Sequence, residues 1–500
     1  MCSGVKTFRF INHGALKKMD IWNFNQVRWG QDEAKGDDDL IEYFVPFPEF
    51  ELIRSGEVRY VIGRKGAGKT AILERLRLEA EDDPMCFYST LTLRDFPIND
   101  IRDFRDRSSR DKSQFVPVWL FLIYVELAKI AIDDNGASSI EAIDALETFL
   151  VMNNLSDGMG FTDTVTLLKS SGSKVKILAK WLEGEYQRSD SSQIEMQVHY
   201  QKVVDILKDL LINVKTNSQY WLFMDELDEG FRSGDSGLRL LLLALLRAVE
   251  DSAISLQRSS LIYRPLLVLR SDIFDRLEDN DLNKLDDHLI RLNWISKDDE
   301  SEYALKNVPN ARISTSLNLG GVSDPWCAIV DDSDPSLPNR VNSIWQYMVN
   351  RTYERPRDII KFLKNCQKKN NGGRLTFEEV RAAEDNYSAW LYNELRDEIH
   401  SYLPVWREAL QCLTRIGTGK IKYSDYVDQL NSDRVISKWF KDQGKGPEDV
   451  VEILFDFGVV GNLDGKRWLF KYKDDDLAWN PSMDLIVHFG LNRKLRLFKW

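Results

Sequence analysis

Four short, almost wholly apolar runs punctuate the first half of the chain, at residues 58–62, 85–89, 220–224 and 265–269. Each is too short for a helix, and each reads as a strand buried on both faces of a parallel sheet. Helical spacing of apolar positions follows residue 70 and recurs at 116–132, 140–152 and 194–214. The run LRLLLLALLRAV at 238–249 is too short to span a bilayer and carries Arg239 and Arg247. It predicts a helix lying against the sheet. Strands alternating with helices predict an α/β fold with a parallel sheet covered on both faces. Residues 100–215 show little strand signal and predict a helical insertion between the second and third core strands. Serine-rich pieces at 170–173 and 189–192 predict loops or helix starts.

Beyond residue 300 the pattern turns helical. Thr376-Phe377-Glu378-Glu379 is a capping box that opens a long helix to about residue 400, after a hinge-like loop at 368–373. The last hundred residues predict helices at 404–416, 422–430 and 447–457, then strands at 465–473 and 485–489. Three helices followed by a two-stranded ribbon is the order of a winged helix. The expected organisation is a lead-in over 1–50, a core over 51–300, a small helical lid over 301–400 and a winged-helix-like domain over 401–500. The acidic triplet Asp37-Asp38-Asp39 in the lead-in reads as a solvated face.

Five hundred residues exceed one ordinary core. A net charge of −12 argues against indiscriminate coating of nucleic acid, yet leaves room for a local basic surface. Residues 401–500 carry 16 Lys and Arg against 14 Asp and Glu. The five cysteines are scattered, without metal-ligand spacing against the five histidines, which fits a reducing cytoplasm. Residues 1–12 lack the apolar stretch of a secretory signal. A cytoplasmic protein with no membrane partner is expected.

The chemistry gathers at strand ends. Gly63-Arg64-Lys65-Gly66-Ala67-Gly68-Lys69-Thr70 follows the first strand and opens the next helix at Ala71, which is G-x-x-x-x-G-K-T in the context that gives it meaning. Glycines let successive backbone N–H groups curl around phosphate oxygens, and the helix N-terminus adds partial positive charge there. Residues 63–71 are therefore candidate nucleotide contacts, with Lys69 for the β/γ-phosphates and Thr70 for Mg²⁺. The third strand ends in Asp225-Glu226. Asp225 would hold the Mg²⁺ water shell and Glu226 would act as general base toward a water. The fourth ends in Arg270-Ser271-Asp272, where either Arg270 or Ser271 would touch the γ-phosphate or the lytic water. Arg276 and Arg291 are candidate trans-acting fingers. Arg357, after Pro356 at a helix start, is a candidate sensor, against the alternative of a surface Arg-Asp pair. Asn283-Lys284-Leu285-Asp286 matches a guanine-reading motif but follows a polar helical stretch rather than a buried strand. In the tail, Lys466, Arg467, Lys471 and Lys473 interleave with Trp468, Phe470 and Tyr472 as on a strand. The preceding helix is acidic at Glu448, Asp449, Glu452 and Asp456, so nucleic acid and protein both stand as partners.

Taken together, GRKGAGKT, WLFMDELDE, LVLRSDIFDRL, NKLDDHLIRLNW, RPRDIIKFL and the closing VHFGL resemble the bacterial AAA+/STAND-type P-loop ATPases. Within these, the chain is similar to the GRKGxGKT…DELDE…RPRD type often found in anti-phage gene clusters. The resemblance covers roughly residues 25–365 and the tail. It implies an ATP- and Mg²⁺-dependent regulatory or motor module that works as a homo-oligomer, with any effector on a separately encoded chain. The alternative is a DNA-binding, initiator- or repair-like ATPase that uses its winged helix.

Overall fold

The computed structural model describes residues 22–92, 113, 115–155, 163–165, 174–178, 193–197, 200–227, 236–277, 279–280, 282–295, 304–339 and 341–497. Five strands form one sheet: β1 (Tyr60–Gly63), β2 (Cys86–Thr92), β5 (Gln219–Asp225), β6 (Ile262–Arg270) and β7 (Leu289–Leu292). All are parallel, in the order β2-β5-β6-β1-β7. The register brings the carboxyl ends level. Gly63 lies between Arg270 and Leu292, and Thr92 lies opposite Asp225. The open end of the sheet thus collects the last residue of each strand, where ligands bind in folds of this kind.

Strand side chains alternate between two cores. Tyr60, Ile62, Leu222 and Met224 pack with α2 (Val116–Asp133), α3 (Tyr200–Ile212) and α4 (Ser236–Leu256). Val61, Trp221, Phe223 and Val268 pack on the other face with Ile72, Leu73 and Leu76 of α1 (Lys69–Asp82). The four expected strands and the buried apolar helix are all present, but β2 lies at the sheet edge and, apart from Leu91, is only half-buried or exposed rather than buried on both faces. β7 is an addition: its Leu-Ile-Arg-Leu sequence is only partly buried at the sheet edge, so it lacks the continuous apolar signature. Leu282–His288, which contains the guanine-like motif, is a 3-10 turn leading into β7.

The region between β2 and β5 is not purely helical. β3 (Lys174–Leu178) and β4 (Gln193–Gln197) form an antiparallel hairpin. Residues 194–197 therefore belong to a strand, and the helix expected from 194 begins at Tyr200. Lys-Val-Lys-Ile and Gln-Ile-Glu-Met-Gln both alternate with period two, and Val175 and Ile177 are buried. The loops expected at 170–173 and 189–192 lie outside the described residues.

A second body shares one core from Phe24, Val27 and Trp29 through α5 (Pro356–Gln367) and α6 (Phe377–Ile399) to the end of the chain. Thr376 closes onto Glu379 as the capping pattern requires, at 3.0 and 3.1 Å. The tail contains α7 (Trp406–Ile416), α8 (Tyr423–Ser432), α9 (Arg434–Gln443) and α10 (Pro447–Asp456). A four-stranded antiparallel sheet accompanies them, ordered β10-β9-β11-β8, from β8 (Lys420–Ile421), β9 (Val460–Asp464), β10 (Arg467–Leu469) and β11 (Asp484–Val487). The strand expected over 465–473 stops at Leu469. Phe470 and Tyr472 are both buried, and Lys471–Lys473 coils as a 3-10 turn in which the Lys473 N–H donates to the Phe470 carbonyl at 3.0 Å. Lys471 then donates to the Asp475 carbonyl, and Lys473 pairs with Glu354 at 2.6 Å.

Candidate functional site

The loop between β1 and α1 depends on two left-handed glycines, Gly66 at φ +80° and Gly68 at φ +104°. A Cβ on Gly66 would sit 3.0 Å from the Arg357 Cβ, whereas one on Gly68 would meet nothing within 4 Å. One glycine admits a neighbour, and the other leaves the turn open. α1 begins at Lys69, so its unpaired first-turn N–H groups face the loop. The Lys69 ammonium arches across the turn and donates to the carbonyls of Gly63 at 2.8 Å and Arg64 at 3.1 Å. Thr70 Oγ1 donates to Asp225 Oδ2 at 3.0 Å.

Asp225 ends β5 beneath this turn. Burial pushes its carboxyl above the ordinary value of 3.8, although the Glu226 N–H at 2.7 Å, the Thr70 hydroxyl and the nearby Lys69 ammonium all favour the anion. Glu226 follows in the left-handed region at φ +55°, an uncommon backbone for a residue with a side chain. That turn aims its carboxylate back toward β2, where Thr92 Oγ1 donates to Glu226 Oε2 at 2.8 Å. Thr92 was not singled out from the sequence. A polar residue closing a strand was the available signal.

These groups line a cleft of about 700 Å³ with Lys65, Gly66, Gly68, Ala71, Arg270 and Arg357. Arg270 is held by Asp272 at 2.9 and 2.7 Å. Ser271, its alternative, lines a second cleft of about 550 Å³ between sheet and tail, because the backbone turns into a short helix at that residue. Arg276 and Arg291 line the second cleft too. Arg276 pairs with Asp456 at 3.0 Å and Arg291 with Asp275 at 2.8 Å. Arg357 stands in the first turn of α5, and its N–H donates to the Gly66 carbonyl at 3.4 Å. Its guanidinium reaches Glu33 and Glu394, each at 3.4 Å, so it is not a simple surface pair with Asp358.

Gly63, Arg64 and Ala67 do not line the first cleft. Arg64 is the main departure from expectation. Its guanidinium points away, over the rings of Tyr353 at 5.1 Å and Tyr472 at 5.7 Å, and donates to the Phe457 carbonyl at 3.5 Å. Burial and the neighbouring Arg355 charge lower its pKa, and its Nη1 has no partner. The aromatic cage outcompetes the loop for this side chain because a weakly hydrated guanidinium stacks well on rings. Lys65 pairs with Glu394 at 3.3 Å, and its carbonyl accepts from Arg355 at 2.7 Å. The Ala67 carbonyl accepts from Trp294 Nε1 at 2.8 Å.

The lead-in supplies the opposite wall. Gln31, Asp32, Glu33, Asp37 and Leu40 border the cleft beside Arg312 and Pro356. Asp32 ties Lys361 at 2.5 Å and Lys364 at 2.6 Å. Asp37 is buried, accepting from the Tyr43 hydroxyl and the Gln31 N–H, so the triplet is not one solvated face. An adjoining apolar pocket is bordered by Leu40, Tyr43, Phe44, Phe47, Ile72 and Trp294 and reaches Gly68 and Ala71. Such a pocket suits a flat aromatic ring carried next to the loop. None of its lead-in residues was singled out beforehand, since sequence gives no sign that residues 40–47 fold against the loop.

No helix among the described residues is long and apolar enough to cross a membrane. No curated protein matches the chain. Residues 303–396, the stretch that sets Arg355 and Arg357 on the glycine loop, are similar to the FunZ-associated C-terminal helical domain.

Proposed function

We propose that the chain binds ATP with Mg²⁺ and hydrolyses it, as a P-loop ATPase core of AAA+/STAND type with a helical lid and a winged-helix-like tail. The observation that carries this reading is the union of Thr70 with Asp225, 155 residues apart, directly beside the lysine of the glycine loop. Backbone N–H groups of residues 65–70 and the Lys69 ammonium receive the phosphates. Lys69 already spans the turn and exchanges its carbonyl partners for phosphate oxygens. Thr70 and Asp225 supply the oxygens that hold Mg²⁺, which when bound neutralises charge on the phosphoryl oxygens. Glu226 accepts the proton of the attacking water, with Thr92 holding its second oxygen. Arg357 and Arg270 border the same cleft and answer the negative charge at its mouth. The apolar pocket at Tyr43 and Phe44 receives the base.

An anti-phage setting is in keeping with the similarity of residues 303–396 to a FunZ-associated domain, and a homo-oligomer with a separately encoded effector is part of the same proposal. Titration with ATP and measurement of phosphate release test the reading. Glu226→Gln is expected to bind ATP while turnover falls about 10²- to 10⁴-fold. Lys69→Ala is expected to lose binding. Unchanged turnover in Glu226→Gln removes the general base, and a wild-type chain with no ATP affinity removes the whole reading.

A further inference from the structure

The ribbon, for which nucleic acid and protein both stood as partners, has two of its four cations engaged by its own chain, Lys471 on the Asp475 carbonyl and Lys473 on Glu354. The end of α10 is turned inward as well, with Asp456 on Arg276. A different element of the tail presents charge to solvent. α9 reads Arg-Val-Ile-Ser-Lys-Trp-Phe-Lys-Asp-Gln, with Arg434, Lys438 and Lys441 at i, i+4 and i+7. That spacing puts them on one face, and all three are exposed. Among the described residues none of them has an ion-pair partner, in contrast to Arg415 on Asp433, Lys445 on Asp449 and Arg493 on Glu384 in the same tail. The helix has one acid, Asp442, which stands four residues from Lys438 without closing a pair.

Within the stripe, Lys441 in the last turn suits the macrodipole, but the row as a whole works against the helix. Like charges at i,i+4 and i,i+3 are destabilising neighbours, and Arg434 sits at the helix start, where the macrodipole disfavours a cation. Folding is secured by other means. Asp433 caps the N-terminus by accepting from the N–H groups of Val435 and Ile436, and Gly444 closes the other end at φ +63°. Ile436 is buried, with Trp439 and Phe440 packed against the tail core. The cations are spaced along the axis by roughly 6 Å and then 4.5 Å. A row of that kind suits an extended polyanion better than a single phosphate.

We infer that the exposed face of α9, a straight and rigid row of three cations, docks the phosphodiester backbone of duplex DNA. The contact is electrostatic, runs along Arg434, Lys438 and Lys441, and reads no sequence. It does not depend on the nucleotide site. Duplex DNA and single-stranded RNA share the backbone chemistry, so both serve as probes, fluorescein-labelled and of equal length, with anisotropy read on the full chain. Between about 50 and 200 mM salt, the logarithm of affinity is expected to fall with log salt with a slope of about −3 on the duplex, near −0.9 per neutralised phosphate, and about −2 on the single strand, near −0.7 per phosphate. The double variant Lys438→Gln/Lys441→Gln is expected to shrink the duplex slope by about 2 and to weaken binding tenfold or more at low salt. Lys438→Arg/Lys441→Arg, which keeps charge and fold, is expected to bind as wild type. Tighter binding of the duplex is expected, and tighter binding of the single-stranded RNA overturns the inference in favour of RNA. Absence of binding to both probes, an unchanged slope in the Gln variant, or loss confined to Lys466→Gln/Arg467→Gln each overturns the inference. Tighter binding of poly-glutamate than of either nucleic acid overturns it in favour of an acidic protein.

Discussion

The Glu226 carboxylate is steadied from the side by one hydroxyl, that of Thr92, and its backbone is held in a conformation that costs roughly 1 kcal/mol or more. A hydrogen bond to a charged group is worth about 1.5–3 kcal/mol. Thr92→Val keeps the shape and removes the donor, so turnover is expected to fall about 10- to 100-fold with ATP affinity unchanged. Equal turnover in wild type and variant would leave Thr92 without a positioning role. Asp225 makes a second prediction. Its carboxyl stays protonated to higher pH than the usual 3.8, and the proton competes with a cation for the same oxygens. Mg²⁺-dependent ATP affinity is therefore expected to weaken as pH falls toward that raised value, and a pH-independent Mg²⁺ titration would contradict it. Lys69, Thr70, Asp225 and Glu226 were legible in the sequence because each is fixed by its distance from a strand end. Thr92 was not, because its role follows from the β2–β5 register, which joins residues 134 apart. The direction of the Arg64 side chain was not legible because the rings that claim it lie about 290 and 408 residues further along.

Among elements, β1, β5 and β6 announced themselves because both of their faces are buried, and β2 by its apolar start although most of it is only half-buried at the sheet edge, whereas β7 is partly exposed and β3 and β4 carry only short alternation. The turn after Phe470 was hidden for a further reason. Tyr472 leaves strand geometry to pack on Tyr353 and His488, contacts made by the lid and by the residue after β11. His488 anchors that junction. Its Nε2–H donates to the Thr352 carbonyl at 3.1 Å, and Nδ1 accepts from the Gly490 N–H at 3.2 Å, so the ring must be neutral. Burial drives its pKa down to about 3. In the unfolded chain the imidazole protonates near 6.5, so this contribution to stability is complete above pH 6.5 and drains away as pH falls toward 3, by at most about 1.4 kcal/mol per pH unit. Thermal melts between pH 7 and 5 are expected to fall more steeply for wild type than for His488→Gln. Parallel curves would remove His488 from the acid response.

At the scale of the molecule, the glycine loop is gripped residue by residue from outside the sheet. The tail holds Arg64, Arg355 and Glu394 hold Lys65, Arg357 covers Gly66, and Trp294 holds Ala67. The lead-in adds an acidic strap across the mouth, with Asp32 on Lys361 and Lys364 and Glu33 on Arg357. Glu33 is 75% exposed, so its hold on Arg357 is screened and worth less than about 1 kcal/mol. Glu33→Gln is accordingly expected to tighten ATP binding by no more than about fivefold, as read by titration. Weaker binding would mean that Glu33 orients Arg357 rather than competing for it. Divisions near residues 50, 300 and 400 are visible as changes of pattern in the sequence, but a core shared by Phe24, Phe362 and Leu485 is not, since no periodicity records which distant faces meet.

That shared grip bears on any attempt to dissect the chain. A fragment cut near residue 400 would keep the glycine turn, Thr70, Asp225 and Glu226, yet would leave the Arg64 guanidinium, the Tyr353 ring and Arg276 stripped of Phe457, Tyr472 and Asp456. The turn would then be tethered on one side only. Activity lost on such truncation would report a collapsed scaffold at the turn rather than a missing catalytic group, and point substitutions in the intact chain are the sounder instrument.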